Sequence, residues 1–151
     1  MPAANKVLVH RWFEEVWNKK REAAIHEMLR EDALVYGLAE KPNEAIRGPE
    51  GFLPFWRKFI SAIPDVSVAL QSVLVEGDKV AVRCSVTGTY SGKGFGLEAT
   101  NARISFTGMA ILQVKDGKFS EGWNNFDFLS LYQQLGLISI KSPIDLNTDT
   151  K

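Results

Sequence analysis

The residues best suited to chemistry sit near the end of the chain, in Glu121-Gly122-Trp123-Asn124-Asn125-Phe126-Asp127. Trp123, Asn125 and Asp127 alternate, so on a β-strand an indole, a carboxamide and a carboxylate share one face. Facing an apolar cavity, a carboxyl group has its charged form destabilised and can exchange protons near neutrality. A carboxamide two residues away can donate to a carbonyl or enolate oxygen as charge develops there. Asp127 and Asn125 are therefore the candidate catalytic residues. The competing readings are a helix cap for Asp127 and a solvent-facing strand residue for Asn125.

The direction in which this segment points follows from the turn before it. Asp116-Gly117 accepts the positive backbone angles of a two-residue hairpin. With Lys115 opposite Lys118, counting outward pairs Ala110 with Trp123, Gly108 with Asn125, and Phe106 with Asp127. Trp123 and Phe106 then supply a flat wall for an aromatic ligand, or else plain core. The other face carries Thr107, Met109, Ile111, Gly122, Asn124 and Phe126, apolar enough to require cover. A homodimer through this outer sheet face is expected.

The elements that must position these residues are legible in the spacing. Residues 3–17 place Leu8, Val9, Trp12, Phe13, Val16 and Trp17 on one helical face, and a shorter helix follows over Lys20 to Leu29. A strand is expected near Ala33 to Tyr36 and a loop over Pro42 to Arg47. Gly48-Pro49-Glu50 reads as a helix start. Phe52, Phe55, Trp56, Phe59, Ile60 and Ile63 line that helix until Pro64. From Asp65 onward the period is two, with Val66, Val68 and Leu70, then Val80, Val82, Cys84 and Val86, and later a long strand over Arg103 to Val114. A glycine-rich loop or bulged edge separates the last two. Leu129 to Leu135 reads as a last helix ended by Gly136. Residues 1–136 make one domain and 137–151 a tail.

Composition narrows the function. Eighteen basic residues balance eighteen acidic ones, which disfavours nucleic acid or an anionic membrane as partner. The start of the chain resembles neither a signal peptide nor a membrane span. One cysteine, Cys84, excludes an intrachain disulfide, and a reducing, cytoplasmic setting is expected. Cys84 alternates with valines and reads as a small buried hydrophobe. Tyr36 and Tyr90 are candidate phenol donors at a pocket mouth, and Arg103 a candidate for a carboxylated ligand; each has a commoner structural reading. Trp56 and Phe59 are expected to exclude water from the site.

Helix, helix, strand, aromatic helix and four long antiparallel strands resembles the nuclear transport factor 2-like cone. Within it, Arg47-Gly48-Pro49-Glu50-Gly51, Ile63-Pro64-Asp65, Val75-Glu76-Gly77-Asp78-Lys79-Val80, Gly88-Thr89, Asp116-Gly117-Lys118, the Glu121–Asp127 run and Gln133-Gln134-Leu135-Gly136 resemble the SnoaL-like polyketide cyclases, also called ester cyclases. The resemblance implies a cystatin-like α+β barrel, a curved antiparallel sheet wrapped around N-terminal helices over an apolar pocket. It also implies that Asp127 is the general acid/base of an intramolecular aldol ring closure. Tyr90 stands where many members have histidine after glycine-threonine, Tyr36-Gly37 where many have histidine after the first strand, and Ala99-Thr100-Asn101 where a proline-threonine-glycine turn is usual.

Two functions are thus expected of one pocket. The first is a cofactor-independent lyase or isomerase acting beside the carbonyl of a small hydrophobic compound. The alternative is a protein that holds such a ligand unchanged, or a dehydratase, isomerase or epoxide hydrolase on the same fold.

Overall fold

The apolar stripe that opens the chain forms α1 (Pro2–Arg11) and runs directly into a π-helical segment (Trp12–Asn18), as seen in a computed structural model that describes residues 2–139. That wider turn buries Trp12, Phe13 and Val16. There follow α2 (Glu22–Met28), β1 (Leu29–Tyr36), β2 (Ala45–Arg47), α3 (Gly48–Ala62), β3 (Ser67–Glu76), β4 (Lys79–Thr89), β5 (Arg103–Lys115), β6 (Lys118–Phe126) and α4 (Phe128–Gln134). The expected tail lies, from residue 140 onward, outside the described residues.

One curved, unclosed sheet holds all six strands in the order β2-β1-β6-β5-β4-β3. The α+β cone is as expected, but the sheet is mixed, because β1 and β6 run parallel while every other pair is antiparallel. β1 begins at Leu29 rather than Ala33, and the segment read as loop contains β2, whose Ala45 pairs with Tyr36. A three-residue edge strand is too short to show an alternation.

The inward residues of β4 and β5 meet in rungs, Val80 beside Leu112, Val82 beside Ala110, Cys84 beside Gly108 and Val86 beside Phe106. Helices α1 and α3 and the π-helical segment fill the concave side of the sheet. The indole N–H of Trp56 donates to the Val16 carbonyl at 2.9 Å and joins α3 to that segment. Trp56 is therefore a buried strut between helices. Among the described residues no helix is long and apolar enough to cross a membrane.

Two carboxamides substitute for missing strand neighbours. Asn18 Oδ1 accepts from the Val68 N–H at 2.7 Å and its Nδ2 donates to the Val68 carbonyl at 3.0 Å, tying the first helical unit to the sheet edge. Gln134 does the same at Ser105, accepting and donating at 2.8 Å, where β5 runs on past the end of β6. Each side chain satisfies a backbone donor and acceptor that a truncation would strand. Asn18→Ala is expected to cost about 1–3 kcal/mol, read as a lowered midpoint in urea unfolding with an unchanged slope.

Cys84 is fully buried, and burial pushes its thiol up to about 11. Thiolate is therefore scarce at neutral pH, and the sulfur is out of reach. Ellman's reagent at about pH 8 should leave the native protein unlabelled and titrate one thiol after denaturation.

Candidate ligand pocket

The site is decided where β5 meets β6. The hairpin begins as its turn dictates, with positive φ at Asp116 and Gly117, Lys115 opposite Lys118 and Val114 opposite Phe119. The ladder then slips, and Gln113 faces Glu121, so that Ser120 is an extra residue in β6. The Ser120 hydroxyl donates to the Gln113 carbonyl at 3.2 Å. Beyond this bulge Trp123 pairs with Ile111, Asn124 with Ala110, Asn125 with Met109 and Phe126 with Gly108. A slip of one residue exchanges the two faces of everything that follows. Gly122, Asn124 and Phe126 turn into the cone, and Trp123 and Asn125 turn out of it, which reverses the register counted from the turn alone.

Asp127 lies beyond the end of β6 and is exposed. Its backbone N–H donates to the Thr107 carbonyl at 2.9 Å. Its carboxylate accepts from the Ser130 N–H at 3.0 Å, the N-cap of α4. The expected inward, dry carboxylate is therefore replaced by a helix cap, the competing reading of this residue. Asn125 is likewise exposed on the outer face.

Of the remaining candidates, Phe59 and Phe106 line the cavity with ring centroids 6.4 Å apart. Trp123 and Tyr36 meet on the opposite side of the sheet, stacked at 6.2 Å, where they border a separate shallow groove with Lys41 and Glu44. Tyr90 is fully buried, and its hydroxyl donates to the Leu97 carbonyl at 2.7 Å, so it pins the glycine-rich loop. Arg103 is exposed, 3.4 Å from Asp65 and 3.3 Å from the Thr89 hydroxyl. The Thr89 N–H, donating to Asp65 at 2.7 Å, holds that carboxyl below the usual range, with Arg103 a smaller contributor. Trp123, Tyr36, Tyr90 and Arg103 all lie outside the cavity wall.

The cavity itself is an aromatic cage. Trp12, Trp17, Phe52, Phe55 and Phe59 come from the helices, and Phe106, Phe119, Phe126 and Phe128 from the sheet and its continuation. Trp12 meets Phe52 at 5.3 Å and Phe119 at 5.6 Å, and Phe106 meets Phe126 at 6.5 Å and Phe128 at 6.1 Å, mostly tilted or edge-on. Trp17, Leu38, Phe55, Asn124, Phe126 and Phe128 are half-buried and mark the mouth, while Phe119, Phe106 and Leu112 close the floor. The cavity volume is about 70 Å³. That admits a small molecule.

Asn124 is the polar side chain that the bulge delivers to this wall. Its Nδ2 donates to the Tyr36 carbonyl at 3.0 Å across the parallel pair, which fixes the plane of the amide. Gly37, at φ +90°, permits the close approach, since a Cβ there would lie 2.0 Å from the Asn124 carbonyl oxygen. One N–H and the carbonyl oxygen of the amide remain for a guest. Glu121 also borders the cavity, but the pleat turns it outward with Trp123. Sequence reasoning missed Asn124, Phe126 and Phe128. The available signal was parity, because Phe119 and Phe126 stand seven apart and both can face inward only if a residue is inserted between them. Among the described residues no three His, Cys, Asp or Glu side chains gather as a metal site.

Comparison with known proteins follows the same lines. The sequence model of the SnoaL-like polyketide cyclase family matches residues 7–135. IdmH from Streptomyces antibioticus, provisionally described as a polyketide cyclase, is 28% identical with a TM-score of 0.75, over 87% of this chain and 98% of its own. A protein of Bacillus cereus, also provisionally described as a polyketide cyclase, is 31% identical with a TM-score of 0.76, over 90% and 83%. An epoxide hydrolase of the LEH-like type from M. tuberculosis shares the fold at 15% identity and a TM-score of 0.66, over 89% and 90%. No curated protein matches. With the family's sequence model covering most of the chain and the cone fold in place, this protein belongs to the SnoaL-like polyketide cyclase family.

Proposed function

We propose that the protein binds a small, flat, largely apolar molecule carrying a carbonyl or hydroxyl group, with its rings in the aromatic cage and its oxygen at Asn124. The observation that carries this reading is the composition of the wall, where one inward carboxamide stands among aromatic and aliphatic side chains. A buried aromatic ring removes on the order of 150–200 Å² of apolar surface from water, worth about 4–5 kcal/mol before the cost of association. The cage thus supplies affinity and the amide supplies orientation. Family membership favours a polyketide-like carbonyl compound as the guest.

A second reading, turnover of that guest, is favoured by the place of Asp127 between Phe126 and Phe128, both of which line the cavity at its mouth. Released from the Ser130 N–H, the carboxylate could take a proton from the carbon beside the carbonyl, while the Asn124 amide donates to the oxygen that gains charge. The cap and the base are then alternative uses of one side chain.

Tryptophan fluorescence reports the first reading, since Trp12 and Trp17 stand in the wall. Asn124→Ala is expected to weaken an aromatic ketone about 3–10-fold while leaving the corresponding hydrocarbon unchanged. Equal loss for both ligands would remove Asn124 from the site. The second reading is checked by proton–deuterium exchange at the carbon beside the carbonyl, followed by NMR. Asparagine caps as well as aspartate, so Asp127→Asn should retain the fold and binding. Catalysis predicts that wild type exchanges and Asp127→Asn does not, whereas no exchange above buffer in either identifies a binder.

A further inference from the structure

Along the inward side of β5 stand Ile104, Phe106, Gly108, Ala110, Leu112 and Val114, all buried. Only Gly108 has no side chain. Glycine inside a strand weakens it, and it marks either a bulge or the close approach of another group. The ladders on both sides of Gly108 are regular, with Cys84 opposite it on β4 and Phe126 opposite it on β6, and its φ is not positive. Close approach is therefore the reason. A Cβ at this position would stand 2.1 Å from Phe126 Cδ2 and 2.5 Å from both Cγ and Cε2. The edge of the ring occupies the space that a side chain at 108 would fill.

Phe126 is also a wall of the cavity at its mouth. Its ring is hemmed in along the sheet, with Phe106 at 6.5 Å and a 72° tilt, Phe128 stacked at 6.1 Å, and Asn124 opposite Ala110 at the next inward position. A ring pushed off Gly108 leaves the sheet on its concave side, which is the cavity. Carbon atoms pack at about 3.5 Å, so a methyl group at 108 drives the ring about 1.5 Å inward, nearly half the thickness of a flat guest.

We infer that Gly108 is a positioning residue that sets the pocket's specificity. By letting Phe126 lie against the sheet it keeps open a slot for a flat ring, and so favours ring-bearing carbonyl compounds over open-chain ones. This rests on the pocket being occupied as proposed above. Gly108 acts through Phe126 and leaves the oxygen end of the site alone, because the Asn124 amide is fixed from the other side of β6 by the Tyr36 carbonyl. A planar ring cannot fold past an intruding phenyl edge. An open chain can, by rotating about its single bonds.

The test uses acetophenone and octan-2-one, ketones of equal carbon number, with binding followed by the fluorescence of Trp12 and Trp17 in the wall. Wild type should prefer acetophenone. Gly108→Ala is expected to weaken acetophenone at least about 10-fold and octan-2-one less than about threefold. Phe126→Ala removes the intruding ring, so adding Gly108→Ala to it should change either affinity less than about twofold. A readout without ligand accompanies this. Gly108→Ala should lower the midpoint of urea unfolding when Phe126 is present and leave it unchanged or raised in the Phe126→Ala background, where alanine only stiffens the strand. If Gly108→Ala alone does not fold, the Phe126→Ala pair decides: the double variant must fold, and both must have lost the preference for acetophenone. Wild type that binds neither ketone overturns the occupation of the pocket on which the inference rests. Wild type that binds both, with a ratio unmoved by Gly108→Ala, overturns the role of Gly108 alone, as does equal destabilisation in the two backgrounds.

Discussion

A pleated strand offers its side chains to two faces in strict turn, and that constraint can be broken only by adding or removing a residue. In β6 it is broken once. Phe119 packs into the core next to the hairpin turn, and Phe126 closes over Gly108 at the far end, although seven positions separate them. Ser120 supplies the extra residue, and its hydroxyl caps the Gln113 carbonyl beside the slipped ladder. Without that slip, two phenylalanines that the cavity needs could not both reach it. The bulge is therefore a requirement of the aromatic packing, and the identity of every inward residue after it depends on it.

The polarity of the pocket follows from that one insertion. Of Asn124 and Asn125, adjacent and chemically identical, the bulge selects Asn124. Gly37 lets the end of β1 approach closely enough for the amide to rest on the Tyr36 carbonyl. That bond costs the guest nothing and spares the amide a rotamer search when a ligand arrives, the ordinary advantage of a side chain fixed beforehand. Asp127 lies just past the last ladder pair, and its backbone is held by Thr107. There the chain must start a helix, and a carboxylate at that position has an unsatisfied N–H to meet before it has any ligand.

Much of this was legible from residues alone. Asp116-Gly117 located the hairpin, alternating valines located β4, and the Gly48-Pro49 start and the spacing of Phe52, Phe55, Phe59 gave α3 and its inward side. Phe59 and Phe106 were assigned to the cavity and are there. What was not legible shares a physical cause. A register counted outward from a turn carries each error to the end of the strand, so one unrecognised bulge inverted Trp123, Asn124, Asn125 and Phe126 together. β2 is too short for periodicity, and the parallel contact of β1 with β6 is a choice of neighbour that no local pattern records. Tyr90 and Trp56 carry a polar atom on a large apolar body, and a backbone carbonyl satisfied each before a pocket could.

The two faces of β6 are consequently not independent. Exchanging parity at Ser120 brings Asn124 and Phe126 to the ligand and, by the same step, carries Trp123 outward to stack on Tyr36 beside Ile111. The cavity gains an amide at its mouth, and the outer sheet gains an indole stacked on Tyr36. A strand without the bulge would place Trp123 and Asn125 inside and leave Phe126 in water, removing both features at once. The pocket and the outer face therefore depend on a single backbone irregularity, and a substitution that heals it must be felt on both sides of the sheet.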